Sequence, residues 1–188
     1  MRKRIVLILV GLLVMVVIPA IAEEKPKTQL EQFIAKKGEI IIKEFYDVGL
    51  IWSRHGAQMK TTALVIYEPG ASSKIYGLQI RIKEGGKYPK ENISFLDFKE
   101  IESLSQALGY MIELSKKWAS IEKEYTEVIF RTQGDYEIGF YQEGLEQSAF
   151  SESDHIGSAS IYLGMENLEI FKSHIDKALA KLKSLGAE

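Results

Sequence analysis

The chain has 188 residues, with 24 Lys+Arg against 26 Asp+Glu, and it has no cysteine. That excludes disulfides, thiol catalysis, thiolate metal sites and redox exchange. Three basic and no acidic residues fall within the first 22, so the 166 that follow carry 21 against 26, a net charge of −5; mild acidity keeps a domain soluble and speaks against a surface built to bind polyanions.

Met1-Arg2-Lys3-Arg4 is followed by Ile5 to Ile18, hydrophobic throughout except Gly11, and then by Pro19. Ala20 and Ala22 stand at the −3 and −1 positions of a cleavage site. A charged n-region, an apolar h-region and an A-x-A end predict a secretory signal over residues 1–22. The alternative is an uncleaved membrane anchor over residues 5–22, at the short end of the about 20 residues that span a bilayer. Either way the remainder is expected outside the cytoplasmic membrane, in the periplasm or extracellular space. A lipoprotein is disfavoured because there is no cysteine to carry the lipid.

Residues 23–37 open with Glu-Glu-Lys-Pro-Lys and read as a polar tether, with a helical turn or two from Thr28 to Lys36. Glu39 to Ser53, rich in β-branched and aromatic side chains, predicts one long or bent strand, with Gly49 marking a bulge. Arg54 to Ala57 is turn material, Thr61 to Tyr67 the next strand, and Lys74 to Lys83 a half-buried strand whose Tyr76, Leu78, Ile80 and Ile82 share one face. Ile93 to Leu96 is a short fourth strand. Asp97 and Glu100 form a capping box, and Ile101, Leu104, Leu108, Met111, Ile112 and Trp118 recur at helical spacing behind it.

The order then restarts. Strands are expected at Tyr125 to Thr132, Tyr136 to Gln142, Gln147 to Phe150 and Ser158 to Leu163. A helix is expected over Gly164 to Leu185, with Gly186 at the C′ position. Sliding the chain by 67 residues lays Ile101 on Leu168, Leu104 on Phe171 and Leu108 on Ile175. The predicted class is α+β: two four-strand-plus-helix repeats whose antiparallel sheets are each covered by one long helix, preceded by an N-terminal signal helix. Residues 38–188 form one domain, with repeat halves 38–118 and 119–188.

Four antiparallel strands followed by a helix, duplicated over most of Glu39 to Leu185, resembles the Whirly and purine-rich-element-binding class of folds. That resemblance is architectural, and it implies single-stranded nucleic-acid binding. The run Tyr125 to Asp135 is similar to uncharacterised exported bacterial proteins of this build, a resemblance that implies no function. An export signal and an acidic body oppose nucleic acid as the partner.

No catalytic constellation, cofactor motif or metal-ligand spacing emerges. His55 falls in a turn and His174 beside the apolar stripe of the second helix, and neither belongs to an HxH or HExxH pattern. Ser151-Glu152-Ser153-Asp154-His155 holds the parts of a hydrolytic site, but five successive residues more naturally make a hairpin loop. Glu84 to Lys87 lacks P-loop spacing, and Asn92-Ile93-Ser94 is a sequon in form alone. The best partner surface is the outer face of the second repeat. If Val128, Phe130, Ile138 and Phe140 point inward, Tyr125, Arg131 and Tyr141 share the other side and are the candidate binding residues. The function expected is a non-catalytic, exported binding or scaffolding domain of the cell envelope, monomeric or homodimeric, whose partner is an envelope protein, peptide or glycan; the alternative is an envelope hydrolase whose residues converge only in three dimensions.

Overall fold

The protein is described here by a computed structural model over residues 28–153 and 158–188. The expected signal segment, with Ala20 and Ala22, lies outside the described residues, as do Asp154 and His155. Two similar sheet units follow one another. The first contains β1 (Ile42–Trp52), β2 (Gln58–Tyr67), β3 (Ile75–Lys83) and β4 (Glu91–Asp97), and α2 (Phe98–Trp118) follows it. The second contains β5 (Lys123–Arg131), β6 (Tyr136–Gly144), β7 (Glu146–Ser153) and β8 (Ala159–Leu163), and α3 (Glu166–Ser184) closes the chain. Each sheet is an antiparallel meander with its strands in sequence order.

Alternation decides which face is which. Met59, Ala63, Val65, Leu78, Ile80 and Ile82 of the first sheet and Tyr136, Ile138, Phe140, Ala149 and Ile161 of the second are buried in one continuous core. At full burial each Val, Leu, Ile, Phe or Met side chain among them stabilises by about 1.5–3 kcal/mol. The 67-residue offset holds in three dimensions for the helices: buried Ile101, Leu104, Leu108, Met111 and Ser115 on α2 correspond to buried Leu168, Phe171, Ile175, Ala178 and Leu182 on α3.

The expectation of one long helix per sheet holds only in part. α2 starts against β3 and β4 but ends on the second sheet, where the Trp118 ring meets Phe140 edge-on at 5.9 Å and Gln147 Nε2 donates to the Ser115 carbonyl at 3.0 Å. α3 does the reverse. Its Phe171 lies 6.2 Å from Tyr136 of β6, while its far end rests on β1 and β2, with Lys181 over the Tyr46 ring. A 21-residue helix is about 31 Å long, roughly twice the ~14 Å across four strands, so neither helix is confined to its own sheet. The two run antiparallel, tied on their solvent side by Lys183–Glu102 and Lys116–Glu169, each at 2.7 Å.

The helical turn or two expected from Thr28 to Lys36 is α1 (Gln29–Ile34); where it docks was not visible in the sequence. Its Leu30 packs with Leu64 and Ile66 on the outer face of the first sheet. Gly77 makes the seat: a Cβ there would stand 2.2 Å from Leu30 Cδ1 and 2.3 Å from the Leu96 carbonyl. Asp97 has two tasks. Its backbone N–H donates to Glu100 Oε2 at 3.0 Å in the predicted capping box, and its carboxylate accepts from the Gln29 and Leu30 N–H groups at 2.8 and 3.1 Å. One aspartate therefore holds the starts of two helices.

At the bulge, the β1–β2 register slips between Asp47 and Gly49. The buried His174 imidazole of α3 packs directly on Gly49. The C-terminus closes as a Schellman motif: Gly186 (φ 102°) donates to the Lys183 carbonyl at 3.1 Å and Ala187 to the Leu182 carbonyl at 3.1 Å. Gly186 thus takes the C′ place that the sequence assigned to it.

Candidate functional site

The outer face of the second sheet is set out by strand register. One row runs Glu127, Tyr141, Ser148; the next Ile129, Gly139, Phe150, Tyr162; the third Arg131, Glu137, Glu152, Ser160. Gly139 leaves a gap in the middle row, and the Phe150 ring leans into it, 3.0 Å from where a Cβ would stand. Rings therefore run across the sheet between rows that carry carboxylates. Over them lies a shallow, open depression of about 460 Å³, lined by Tyr125, Glu127, Tyr141, Glu137, Phe150, Glu152, Ser160 and Tyr162.

The three candidates from the sequence fall on this face, but not together. Tyr125 (56% exposed) and Tyr141 form a pair, ring centroids 6.0 Å apart and planes tilted 30°. Arg131 sits six residues further along β5, about 20 Å away at strand rise. Its guanidinium is held by Glu137, with Nε donating to Oε2 at 2.9 Å and Nη2 donating to the same oxygen. Arg131 flanks the depression rather than lining it. Glu127, Phe150, Glu152 and Tyr162, by contrast, do line it and were missed. Ser148-Ala149-Phe150-Ser151-Glu152 alternates as a strand should, and β7 runs past the expected strand end at Phe150 to Ser153.

The Tyr125 hydroxyl donates to Glu127, and that bond, with some burial and the carboxylate charge beside it, pushes the phenol up to about 12. It is a neutral donor across the physiological range. This face can stack flat or apolar groups on its rings, accept hydrogen bonds at its carboxylates and attract positive charge.

The hydrolytic cluster is rearranged by the fold. Ser151, Glu152 and Ser153 belong to β7 rather than to a loop. Ser151 Oγ hydrogen-bonds the Tyr136 hydroxyl (2.9 Å) and the Glu137 carbonyl (3.1 Å), and Ser153 Oγ donates to the Ala159 carbonyl (3.3 Å). Small hydroxyls with nearby acceptors are buried at little cost, so both serines turn inward and only Glu152 faces out. His55 sits exposed in a 3₁₀ turn at φ 58°. His174 is buried on the opposite side of the core, and burial, with Lys177 beside it, holds its imidazole below the ordinary histidine value. Its Nδ1 has no hydrogen-bond partner among the described residues. Among those residues no three His, Asp or Glu side chains converge as a metal-holding group.

Compared with protein-family models, with curated proteins and with solved structures, the chain finds no match.

Proposed function

We propose that this protein is an exported, non-catalytic binding or scaffolding module of the cell envelope, and that it engages its partner through the outer face of the second sheet. The observation that carries this reading is the open Tyr125–Tyr141 pair, continued by Phe150 and Tyr162 and set among carboxylates, on a sheet face that no element of the described chain covers. The matching face of the first sheet has a helix over one end. Aromatic side chains with polar tips lose little entropy on binding and give both area and hydrogen bonds.

The test is an array of envelope-type peptides and glycans probed with the wild-type protein and with Tyr125→Ala/Tyr141→Ala. Binding that falls at least ten-fold in the double variant, with its thermal unfolding unchanged, supports this face. Binding that survives in the double variant refutes it. Export is tested separately by cell fractionation with intact mass: a chain starting at Glu23 outside the cytoplasm fits a cleaved signal, and a full-length chain in the membrane fraction fits an anchor through residues 5–22.

A further inference from the structure

The two sheets turn outer faces of opposite character to solvent. Register places Lys43, Lys60, Arg81 and Lys83 on the outer face of the first sheet, against Asp47, Glu91 and Asp97, the last of them already occupied by the N–H groups of α1. Two of those cations are already paired, Lys60 with Asp47 at 2.9 Å and Arg81 with Glu91. On the outer face of the second sheet, register places Glu127, Glu137, Glu143, Glu146 and Glu152 against Arg131 alone. One face is weakly cationic, four charges against three, and the other anionic, one against five.

Their apolar content matches as well. The end of the first face that α1 leaves open carries Trp52 at 60% exposure, Phe45 at 54% and Leu50 at 41%, a group of large side chains on an edge strand that proteins ordinarily keep charged or covered. The second face offers Tyr125, Tyr141, Phe150 and Tyr162. Lysine and tryptophan on one side meet carboxylate and tyrosine on the other, the composition of an interface core with a charged rim.

We propose that the outer face of the second sheet receives the outer face of the first sheet of a second copy of this chain. This rests on reading that second face as a binding surface, and it names the occupant. The contact joins two different surfaces, so a docked pair still presents one free cationic and one free anionic face, and assembly runs on until it closes as a ring or continues as a filament. Because opposite charges drive it, association weakens as salt rises.

The experiment uses sedimentation velocity on the whole protein across a concentration series, at about 0.05 M and about 1 M salt. One variant carries Lys60→Gln and Lys83→Gln, the other Glu127→Gln and Glu152→Gln, so that neither altered face attracts the other, and each is checked for native circular dichroism and unfolding midpoint. Wild type is expected to sediment faster with rising concentration at low salt and to revert at high salt. Each variant alone is expected to associate at least ten-fold more weakly. An equimolar mixture, in which one intact cationic face meets one intact anionic face, is expected to give a dimer and nothing larger, a rescue that misfolded variants could not produce. A wild type that stays monomeric at every concentration overturns the proposal, as does association that neither variant weakens, or a mixture that forms no dimer. If the first-sheet variant still assembles while the second-sheet variant does not, the anionic face binds something other than the cationic one. The occupant is then wrong, while the binding face itself stands.

Discussion

Replacing Gly49 with alanine is a sharp test of how the last helix sits on the first strand. Gly49 does not need the left-handed region, so alanine meets no backbone penalty. In isolation it should gain about 0.4–1 kcal/mol by restricting the unfolded chain. The obstacle is steric. The new Cβ would stand 2.2 Å from His174 Nε2, 2.3 Å from Cε1 and 2.5 Å from Cδ2, so a ring that is only 8% exposed must retreat by more than an ångström to restore ordinary contact. Overpacking of this kind costs about 1–3 kcal/mol, which leaves a net loss of about 1–2 kcal/mol. With an m-value of about 2 kcal/mol/M in urea, the unfolding midpoint falls by about 0.5–1 M. In a His174→Ala background the clash is gone, and the same Gly49→Ala change should be neutral or stabilising. The double-mutant cycle isolates the term. An equal loss in both backgrounds would show that the imidazole is not what fills the bulge.

The same histidine makes stability depend on pH. Burial holds its folded-state pKa below the ordinary histidine value of about 6.5, so the unfolded chain takes up the proton first; its contribution is complete above that value and drains away as pH falls through and below it. Burial raises the Glu100 carboxyl, which acts with the opposite sign, so the urea midpoint of wild type minus that of His174→Ala, followed from pH 7.5 to 5, should isolate the imidazole; a constant difference would contradict its burial as the neutral form. Asp97→Ala removes two hydrogen bonds to the start of α1 and should cost about 1–2 kcal/mol, with amide exchange over Gln29–Ile34 accelerating more than in the sheets; uniform acceleration would mean that α1 is not separately held by this carboxylate. Glu127→Gln removes the charge that keeps the Tyr125 phenol protonated, and its titration, followed by the Cζ shift of labelled tyrosine, should move from about 12 back toward 10; no movement would place the hydroxyl elsewhere.

Most of the element order was legible because the sequence alternates cleanly. Tyr76, Leu78, Ile80 and Ile82 could face only one way, and the capping box at Asp97 and the glycine at 186 marked helix ends by local chemistry. Strand ends were less legible. β7 continues through Ser151 and Ser153 because their hydroxyls find acceptors inside, which composition alone reads as loop. The docking of α1 hinges on the absence of a Cβ at Gly77, and no pattern within Gln29–Ile34 points there. The candidate site divides in the same way. Tyr125 and Tyr141 could be placed on one face from periodicity alone, whereas the occupation of Arg131 by Glu137 and the lean of Phe150 toward Gly139 depend on neighbours across the sheet.

The crossing of the two long helices has a consequence for how the chain is made. The inner face of the first sheet, complete in sequence by Asp97, has β1 and β2 covered by a helix that ends only at Ser184. A nascent chain emerging from its N-terminus therefore holds four finished strands of which β3 and β4 meet the start of α2 directly, while β1 and β2 cannot bury their apolar side until nearly the last residue has been synthesised. Contacts of such long sequence separation form late and slowly. The first half is expected to stay incompletely packed, and open to chaperones, until the chain is nearly complete, a delay that suits the passage through a membrane proposed above. Truncation a few residues short of Ser184 should then cost the order of the first sheet, at the opposite end of the sequence from the cut.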